Sequence, residues 1–508
     1  MLFPVFFVAV YLSHVSLLRL PYYWDEAGYY IPAAYDFFRT GSLIPHSTLT
    51  NAHPPLPSLL LAAWWSFAGF VPSATRTLMC LVTAMALLGV YQMSRILANA
   101  QVAIATTFLT ALYPVWFAQS TLAHADMFAA AATMWALAAY FRSLKAGSNR
   151  ALLWAVAFFA LAAMAKETAI VNALVLAAWE LSRVMRGKVG VRGGVVRAVL
   201  LGAATAPLAI WYAYHRHKTG SVFGNPEFLH YNAVATLTPL RVLLAFGHRV
   251  FHVTAHMNMF VPTICMIAAM FLPPRVDRHG EAPQRIRPPA RHRQIILVLI
   301  LANLILFSVL GGALLTRYLL PVYPLFLLAA VSTWWRRVPY WGGLVAFSAV
   351  AFFLGLVVNP PYRFAPEDNL AYRDMIVLHQ HATARLLHVS PRPTVLTAWP
   401  AADELSAPWL GYVKTPLPVV TVDDFTREHL ASLKSADGAS MAFIFSTKYA
   451  PPTLPLLLGQ RNEQWQRTYF GFHEDLNPAD AAALLGGRVV WYEERKGQWA
   501  ALIALHTH

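Results

Sequence analysis

Residues 18–30, "LRLPYYWDEAGYY", join an apolar run to a pair of adjacent carboxylates. The run that ends here begins at residue 2 and has the length of about 20 residues that a bilayer-spanning helix needs. Asp25 and Glu26 follow directly, among aromatic side chains. The stretch therefore predicts a first membrane helix that places two acidic groups at one membrane interface.

Apolar runs of similar length recur as far as residue 358 and predict about eleven transmembrane helices. The predicted spans are 2–20, 73–97, 101–119, 125–142, 151–166, 168–184, 196–214, 248–272, 294–313, 318–334 and 340–358. The run at 53–70 is short and opens with prolines, so we interpret it as an interfacial or partly embedded helix.

The composition agrees with a polytopic membrane protein. Of 508 residues, 57% are hydrophobic and 12% are charged, against about 25% charged residues in soluble domains. The net charge of +15 is concentrated in short loops between the apolar runs, and no basic stripe lies on a soluble fold. Nucleic acid is therefore excluded as a partner.

The basic loops also predict the orientation of the chain. Clusters of Arg and Lys lie at 141–150, 182–197, 273–293 and 334–340. Such loops favour the cytoplasmic side, and with eleven spans all four lie on the same side. Asp25 and the C-terminal region then face away from the cytoplasm, which in a bacterial inner membrane means the periplasm.

The pattern changes after residue 358, which divides the chain into a membrane domain (1–358) and a C-terminal soluble α/β domain (359–508). A helix is predicted at 369–388, followed by strands at 393–399, 418–422, 441–447 and 488–495. About 150 residues are enough to bury a separate core.

Ionisable residues near the ends of the predicted spans are the candidate functional groups. Charges at membrane depth cost about 2.5 to 3.5 kcal/mol each on insertion scales, so they need a partner or a function. A carboxylate can accept a proton or hold a cation, whereas Lys and Arg suit a lipid phosphate. The candidates on the noncytoplasmic side are Asp25, Glu26, His53, Asp126, Lys166, Glu167 and Arg317.

Five motifs in a fixed order resemble the GT-C superfamily of membrane glycosyltransferases. They are "WDEAGYY" (24–30), "HPPL" (53–56), "AHADMF" (123–128), "AKET" (165–168) and "TRYLLPVYPL" (316–325). The resemblance covers residues 1–335 and is strongest to the protein mannosyltransferase and aminoarabinose transferase branch. It implies a GT-C-like fold, a polyprenyl-phosphate-linked sugar donor, and inversion at the anomeric carbon.

The resemblance also implies roles for individual residues. Asp25 matches the loop carboxylate that acts as the catalytic base, and Glu26 completes that catalytic pair. The remaining matches are to substrate-binding positions, with Arg317 and Tyr318 at the donor phosphate: His53, Asp126, Lys166, Glu167, Arg317 and Tyr318. The acceptor, which is a protein, a glycolipid or a glycan, and the choice between a hexosyl and a pentosyl group stay open. No cofactor is required by the residues, and a divalent metal ion at the carboxylates stays open.

Structural interpretations exist for the same residues. Asp25, Glu26 and Asp126 could cap helix N-termini, Lys166 and Glu167 could form an ion pair at a helix end, and Arg317 could extend to the lipid headgroups. The alternative function is a polytopic lipid or solute transporter. A transporter should carry its ionisable groups near the bilayer midplane and often shows repeated halves, and neither feature is visible here. A membrane acyl- or phosphoethanolamine-type transferase should show a dedicated nucleophile or metal-binding domain.

Overall fold

The computed structural model describes residues 2–276, 285, 288–433, 438–449 and 459–506. Helices make up 66% of the structure, and a small sheet lies near the C-terminus. Part of the basic loop predicted at 273–293 lies outside the described residues.

The α-helices are, in chain order, α1 (Leu2–Ser13), α2 (Ile31–Thr40), α3 (Leu56–Ala68), α4 (Pro72–Leu97), α5 (Ala100–Leu112), α6 (Pro114–Gln119), α7 (Ala125–Ala146), α8 (Asn149–Ala165), α9 (Ile170–Met185), α10 (Val191–Ala203), α11 (Ala206–Thr219), α12 (Pro226–Leu229), α13 (Pro239–Thr254), α14 (Phe260–Met270), α15 (Ala290–Val309), α16 (Val322–Arg337), α17 (Trp341–Val357), α18 (Ala371–Leu386), α19 (Ala401–Ser406), α20 (Arg427–Ser432), α21 (Gly459–Phe470) and α22 (Pro478–Leu484). Single turns of tighter or wider helix occur at Glu26–Tyr30, Glu167–Ala169, His230–Val234, His256–Asn258, Thr316–Leu319, Pro366–Asp368 and Pro408–Leu410.

The structure does not confirm eleven continuous spans. Among the described residues, four helical segments are long and apolar enough to cross a membrane: 72–97, 167–185, 191–219 and 290–309. A fifth results if 239–258 and 260–270, which are bent by 101°, count as one span. The chain is an integral membrane protein by this composition, with fewer full-length spans than the hydropathy pattern predicts.

Local breaks and short helices account for part of the difference. The predicted span 101–119 divides into α5 and α6 because Pro114 has no N–H for the helical ladder. The predicted span 248–272 breaks near Met257, whose φ of +48° is not helical. Helix α1 has 12 residues, or about 18 Å at 1.5 Å per residue, before the chain turns toward Asp25.

The sheet has the strand order β2-β1-β3-β5-β4. The strands are β1 (Val395–Ala398), β2 (Val419–Val422), β3 (Met441–Phe445), β4 (Gly487–Arg495) and β5 (Gln498–Leu505). β1 is parallel to β2 and β3, with Val395 opposite Val419, whereas β5 is antiparallel to β3 and β4. The sequence predicts the first four strands and misses β5.

The loop that carries Asp25 lies between the helices and the sheet region. Leu17 and Tyr23 belong to the same buried cluster as side chains of α18 and the strands. The Tyr23 ring lies 5.7 Å from the ring of Tyr372 in α18. The C-terminal region therefore packs directly over the first loop, and the boundary at residue 358 stays a prediction.

Candidate active site

Asp25 lies in a strained turn between α1 and α2. The preceding residue, Trp24, has a φ of +46°, an unusual conformation for a bulky residue and one that clusters at functional sites. A single wide helical turn, Glu26–Tyr30, then leads into α2. The side chain of Asp25 is 19% exposed, so its carboxylate reaches the open side of the loop.

Arg317 is the centre of the site. Its guanidinium contacts three acidic side chains: Nη2 donates to Oδ2 of Asp25, Nη1 donates to Oε1 of Glu367, and Nε lies 3.2 Å from Oδ2 of Asp126. The side chain is only 3% exposed. Because the guanidinium has donors on three edges, it holds together acidic groups from distant parts of the chain.

Lys166 completes the cluster from the opposite side of Asp126. Its Nζ donates to Oδ1 of Asp126 and lies 4.0 Å from the centre of the Tyr318 ring. Asp126 is the second residue of α7, where unpaired backbone amides favour a negative charge. Lys166 directly follows α8 in an extended conformation. The break between α8 and the next helix therefore brings the ammonium group to the site.

A small cavity of about 20 Å³ lies beside these charges. Its wall combines the charged groups with amide and apolar side chains: Asp126, Ala129, Lys166, Thr168, Ala169, Asn172, Asn303, Phe307, Arg317, Tyr318 and Pro321. Its wall therefore combines two cations, which suit a phosphate group, with apolar side chains.

His53 and Glu167 form a second pair beside the cluster. Nδ1 of His53 lies 3.2 Å from Oε2 of Glu167, and both side chains are partly exposed. The His53 ring stacks on Tyr30 at 5.7 Å, and Tyr30 also contacts the His124 ring at 5.8 Å. The rings of Tyr30 and His124 therefore connect the His53–Glu167 pair to the start of α7.

Glu26 does not join the Arg317 cluster. Its side chain is fully buried and pairs with Arg76 of α4, with Oε2 lying 3.2 Å from Nη2. The backbone amides of Ala123 and Tyr23 donate to the same carboxylate at 2.6 and 3.0 Å. The adjacent residues Asp25 and Glu26 therefore point to different surroundings.

Three neighbours of the site are absent from the sequence prediction: Glu367, His124 and Arg76. His124 is buried; its Nδ1 pairs with Oε1 of Gln119 at 2.8 Å, and its Nε2 has no hydrogen-bond partner. His124 lies two residues before Asp126, in a motif that the sequence analysis does single out. Arg76 is a charge inside an apolar run, which is itself a signal for a partner.

Burial raises the pKa of Glu367 to about 8, and the nearby Asp25, Asp368 and Asp126 add to this effect against the opposing charge of Arg317. Below this pH the carboxyl group of Glu367 holds its proton, so the cations of Lys166 and Arg317 face the carboxylates of Asp25 and Asp126. Above it, a third negative charge is present. The net charge of the site therefore changes near pH 8.

An aromatic cluster lies at the turn that carries Asp25. The rings of Trp24 and Trp399 lie 5.0 Å apart, and Tyr29 lies 6.1 Å from Trp399. All three are partly exposed. Trp399 packs so closely on Gly28 that a Cβ there would lie 2.8 Å from the indole ring. The glycine therefore allows a residue of the C-terminal region to approach the Asp25 loop.

Comparison with known proteins places this geometry in context. The sequence profile of the family described as dolichyl-phosphate-mannose-protein mannosyltransferase matches residues 52–211. Two crystal structures of ArnT from Cupriavidus metallidurans, in the apo state and bound to undecaprenyl phosphate, have TM-scores of 0.55 and 0.54 at 14% identity. Each alignment covers 98% of this chain and 97% of that chain. The resemblance to the protein mannosyltransferase branch is confirmed over residues 52–211, and the fold is similar to that of ArnT.

The likeness to ArnT is one of fold. The residues matched by the family profile, 52–211, include His53, Asp126, Lys166 and Glu167 but not Asp25 or Arg317. A crystal structure of the oligosaccharyltransferase from Archaeoglobus fulgidus aligns over 81% of this chain and 62% of that chain, at 13% identity with a TM-score of 0.45. Among curated proteins, none matches the sequence. Within the described residues, no group of three or more His, Cys, Asp and Glu side chains could hold a metal ion.

Proposed function

We propose that this protein is an integral membrane glycosyltransferase. It transfers a sugar from a polyprenyl-phosphate-linked donor to an acceptor, with inversion at the anomeric carbon and Asp25 as the base. One observation carries the proposal: Arg317 and Lys166 line a partly apolar cavity, while Asp25 shares the same guanidinium. The arrangement offers a phosphate site and a proton acceptor a few ångströms apart.

The reaction follows from these positions as a single displacement. The acceptor oxygen gives its proton to Asp25 and attacks the anomeric carbon as the bond from that carbon to the phosphate oxygen breaks. Lys166 and Arg317 stabilise the negative charge that develops on the leaving phosphate. The phosphate competes with Asp25 for Arg317, so donor binding frees the carboxylate for proton transfer.

The other candidate residues take supporting roles in this proposal. Tyr318 lies beneath the Lys166 ammonium and orients it, and Asp126 holds both cations. His53 and Glu167 border the site next to Tyr30 and contact the substrate. We assign Glu26 a positioning role, because its carboxylate is fully used by Arg76 and two backbone amides.

Several features support a lipid-linked donor on the noncytoplasmic side. One ArnT structure of the same fold is described as bound to undecaprenyl phosphate. The basic loops of this chain gather at the other helix ends, the orientation expected of a bacterial inner membrane with the site facing the periplasm. The charged residues also lie at helix ends, as at the start of α7, whereas a transporter would place them near the bilayer midplane.

Transfer of labelled sugar from a polyprenyl-phosphate donor by the purified protein tests the proposal. Mass spectrometry of glycolipids and glycoproteins from cells with and without the gene then identifies the acceptor and the sugar. If the purified protein moves the intact lipid or a solute across vesicles and forms no glycosidic bond, the transporter alternative is correct.

Lys166→Met is expected to weaken binding of the donor about ten- to a hundredfold. A charge-assisted contact to phosphate contributes about 1.5 to 3 kcal/mol. Arg317→Lys should also bind the donor less tightly than the original protein, because a single ammonium cannot reproduce the contacts that the guanidinium makes on three edges. Binding is measured with a polyprenyl phosphate that lacks the sugar, and Lys218→Met, which changes an exposed lysine in the last turn of α11, is the control. Unchanged affinity in both site variants would contradict the phosphate role.

The KM for the donor is expected to rise about tenfold as the pH increases through 8. The pKa of Glu367 is raised to about 8, so its proton is lost in this range and the new negative charge repels the donor phosphate. Glu367→Gln should keep the low KM at pH 9 and flatten the profile. The same KM rise in the Gln variant would assign the titration to another group.

A further inference from the structure

A second charged cluster lies at the opposite ends of the helices that form the active site. Helix α7 carries Asp126 in its first turn and Lys145 in its last. Its 22 residues span about 33 Å, close to the hydrocarbon thickness of a bilayer of about 30 Å. Any group bound near Lys145 is therefore remote from the proposed donor phosphate.

The centre of this second cluster is Glu180 of α9, which is fully buried. Its Oε1 accepts hydrogen bonds from the Tyr140 hydroxyl at 2.8 Å, from Nε of Arg197 at 3.3 Å and from Nη2 of Arg291 at 3.2 Å. Oε2 accepts from Arg183 at 3.3 Å. Glu180, Arg183, Arg197 and Arg291 form what we call the Glu180 cluster.

The Glu180 cluster holds more positive than negative charge. Three guanidinium groups surround one carboxylate, and two of them bind the same oxygen atom. Like charges at this separation repel each other strongly at the low effective dielectric of a helix bundle. An additional anion would relieve this repulsion. Basic loops can set the cytoplasmic orientation without placing three arginines around a buried glutamate. Orientation alone therefore does not explain the Glu180 cluster.

A wide cavity lies next to His292, the residue that follows Arg291 of the cluster. Its volume is about 710 Å³, and it lies between the ends of α4, α7 and α16 and the start of α15. The titratable groups that line it are Lys145, Arg285 and His292; no carboxylate does so among the residues that the structure describes. Nε of Arg291 and Nδ1 of His292 are buried without a hydrogen-bond partner.

We propose that this cavity and the Glu180 cluster bind a phosphate group, supplied by the headgroup of an anionic lipid. Guanidinium and ammonium groups suit phosphate oxygens, and basic pockets between membrane helices are typical sites for anionic headgroups. Apolar side chains beside the cluster are exposed, including Leu181 at 43% and Met185 at 81%, and offer a surface for acyl chains. Free phosphate has the same chemistry and is the second possible source.

The test is binding of phosphatidylglycerol to the full-length protein in a neutral detergent, followed as a rise in melting temperature. Phosphatidylcholine and inorganic phosphate are the parallel ligands. Lys145→Gln removes an exposed cation of the cavity and should weaken binding, so that the half-saturating phosphatidylglycerol concentration rises about tenfold. Lys145→Arg should retain binding, and Lys218→Gln is the matched control at an exposed site.

The three ligands separate the outcomes. A Lys145-dependent effect of phosphatidylglycerol alone supports a lipid headgroup, and an equal Lys145-dependent effect of inorganic phosphate supports the same site with a free ligand. Equal responses of Lys145→Gln and Lys218→Gln would overturn the proposal, as would phosphatidylcholine acting as well as phosphatidylglycerol. An unchanged melting temperature of each variant without ligand shows that folding is intact.

Discussion

Asp25→Asn is expected to lower the turnover number for sugar transfer by about 10²- to 10⁴-fold, the usual contribution of a positioned general base. The substitution preserves the size of the side chain and removes its ability to accept the proton of the acceptor. In the structure the carboxylate is partly exposed, and Arg317 keeps its contacts with Asp126 and Glu367, so the variant should fold normally.

The same variant should bind the donor at least as tightly as the original protein. Asp25 competes with phosphate for Arg317, and the neutral amide competes less. A large loss of turnover with unchanged or improved donor affinity is therefore the signature of the proposed base. The measurement is single-turnover transfer together with donor binding. Asp423→Asn serves as the control, since Asp423 is 89% exposed and lies in the sheet region. Normal turnover in Asp25→Asn would remove the base from the mechanism.

The sequence predicts the main members of the site because charge is rare in apolar segments. Asp25, Asp126, Lys166 and Arg317 each stand at the end of an apolar run, and the structure brings them into contact. Their separation along the chain reaches 292 residues, so no local pattern could show the contacts themselves. The sequence identifies these residues one by one, because each is a charged group that is costly to insert into a membrane.

Glu367 is missed by the sequence prediction because a charge does not stand out in a polar segment. It lies in "APEDNL" (365–370), after the last apolar run, where acidic residues are ordinary at the start of a soluble helix. Its proximity to Arg317 follows from the way the C-terminal region folds back over the first loop. Trp399 is missed in the same way, because a tryptophan at the end of a predicted strand carries no sign of its contact with Gly28.

The differences in secondary structure also have physical causes. Strand β5, "QWAALIAL", is buried along most of its length and lacks the alternation that marks a half-exposed strand. The break near Met257 lies within a continuous apolar run, and hydropathy averages over it. Hydropathy therefore shows where apolar segments lie but not where they bend.

Glu26→Gln is expected to reduce the stability of the protein by about 3 to 5 kcal/mol, because it leaves the charge of the fully buried Arg76 without its partner. The carboxylate also accepts hydrogen bonds from two backbone amides, and a neutral amide accepts them less strongly. The expected readouts are a lower melting temperature and less folded protein in membranes. Glu428→Gln, at an exposed position of α20, should have little effect.

The double variant Glu26→Gln/Arg76→Met separates this structural role from catalysis. Removing both charges eliminates the unpaired buried arginine, so part of the lost stability should return, and the shortfall from additivity measures the coupling of the pair. Turnover per folded molecule in Glu26→Gln should stay within about tenfold of normal, since the Glu26 carboxylate faces Arg76 and not the cavity. A stable Glu26→Gln protein with a loss of turnover as large as that of Asp25→Asn would instead assign both adjacent carboxylates to the reaction. The two outcomes differ because one acts on the folding equilibrium and the other on the transition state, and the melting curve and the turnover number measure them independently.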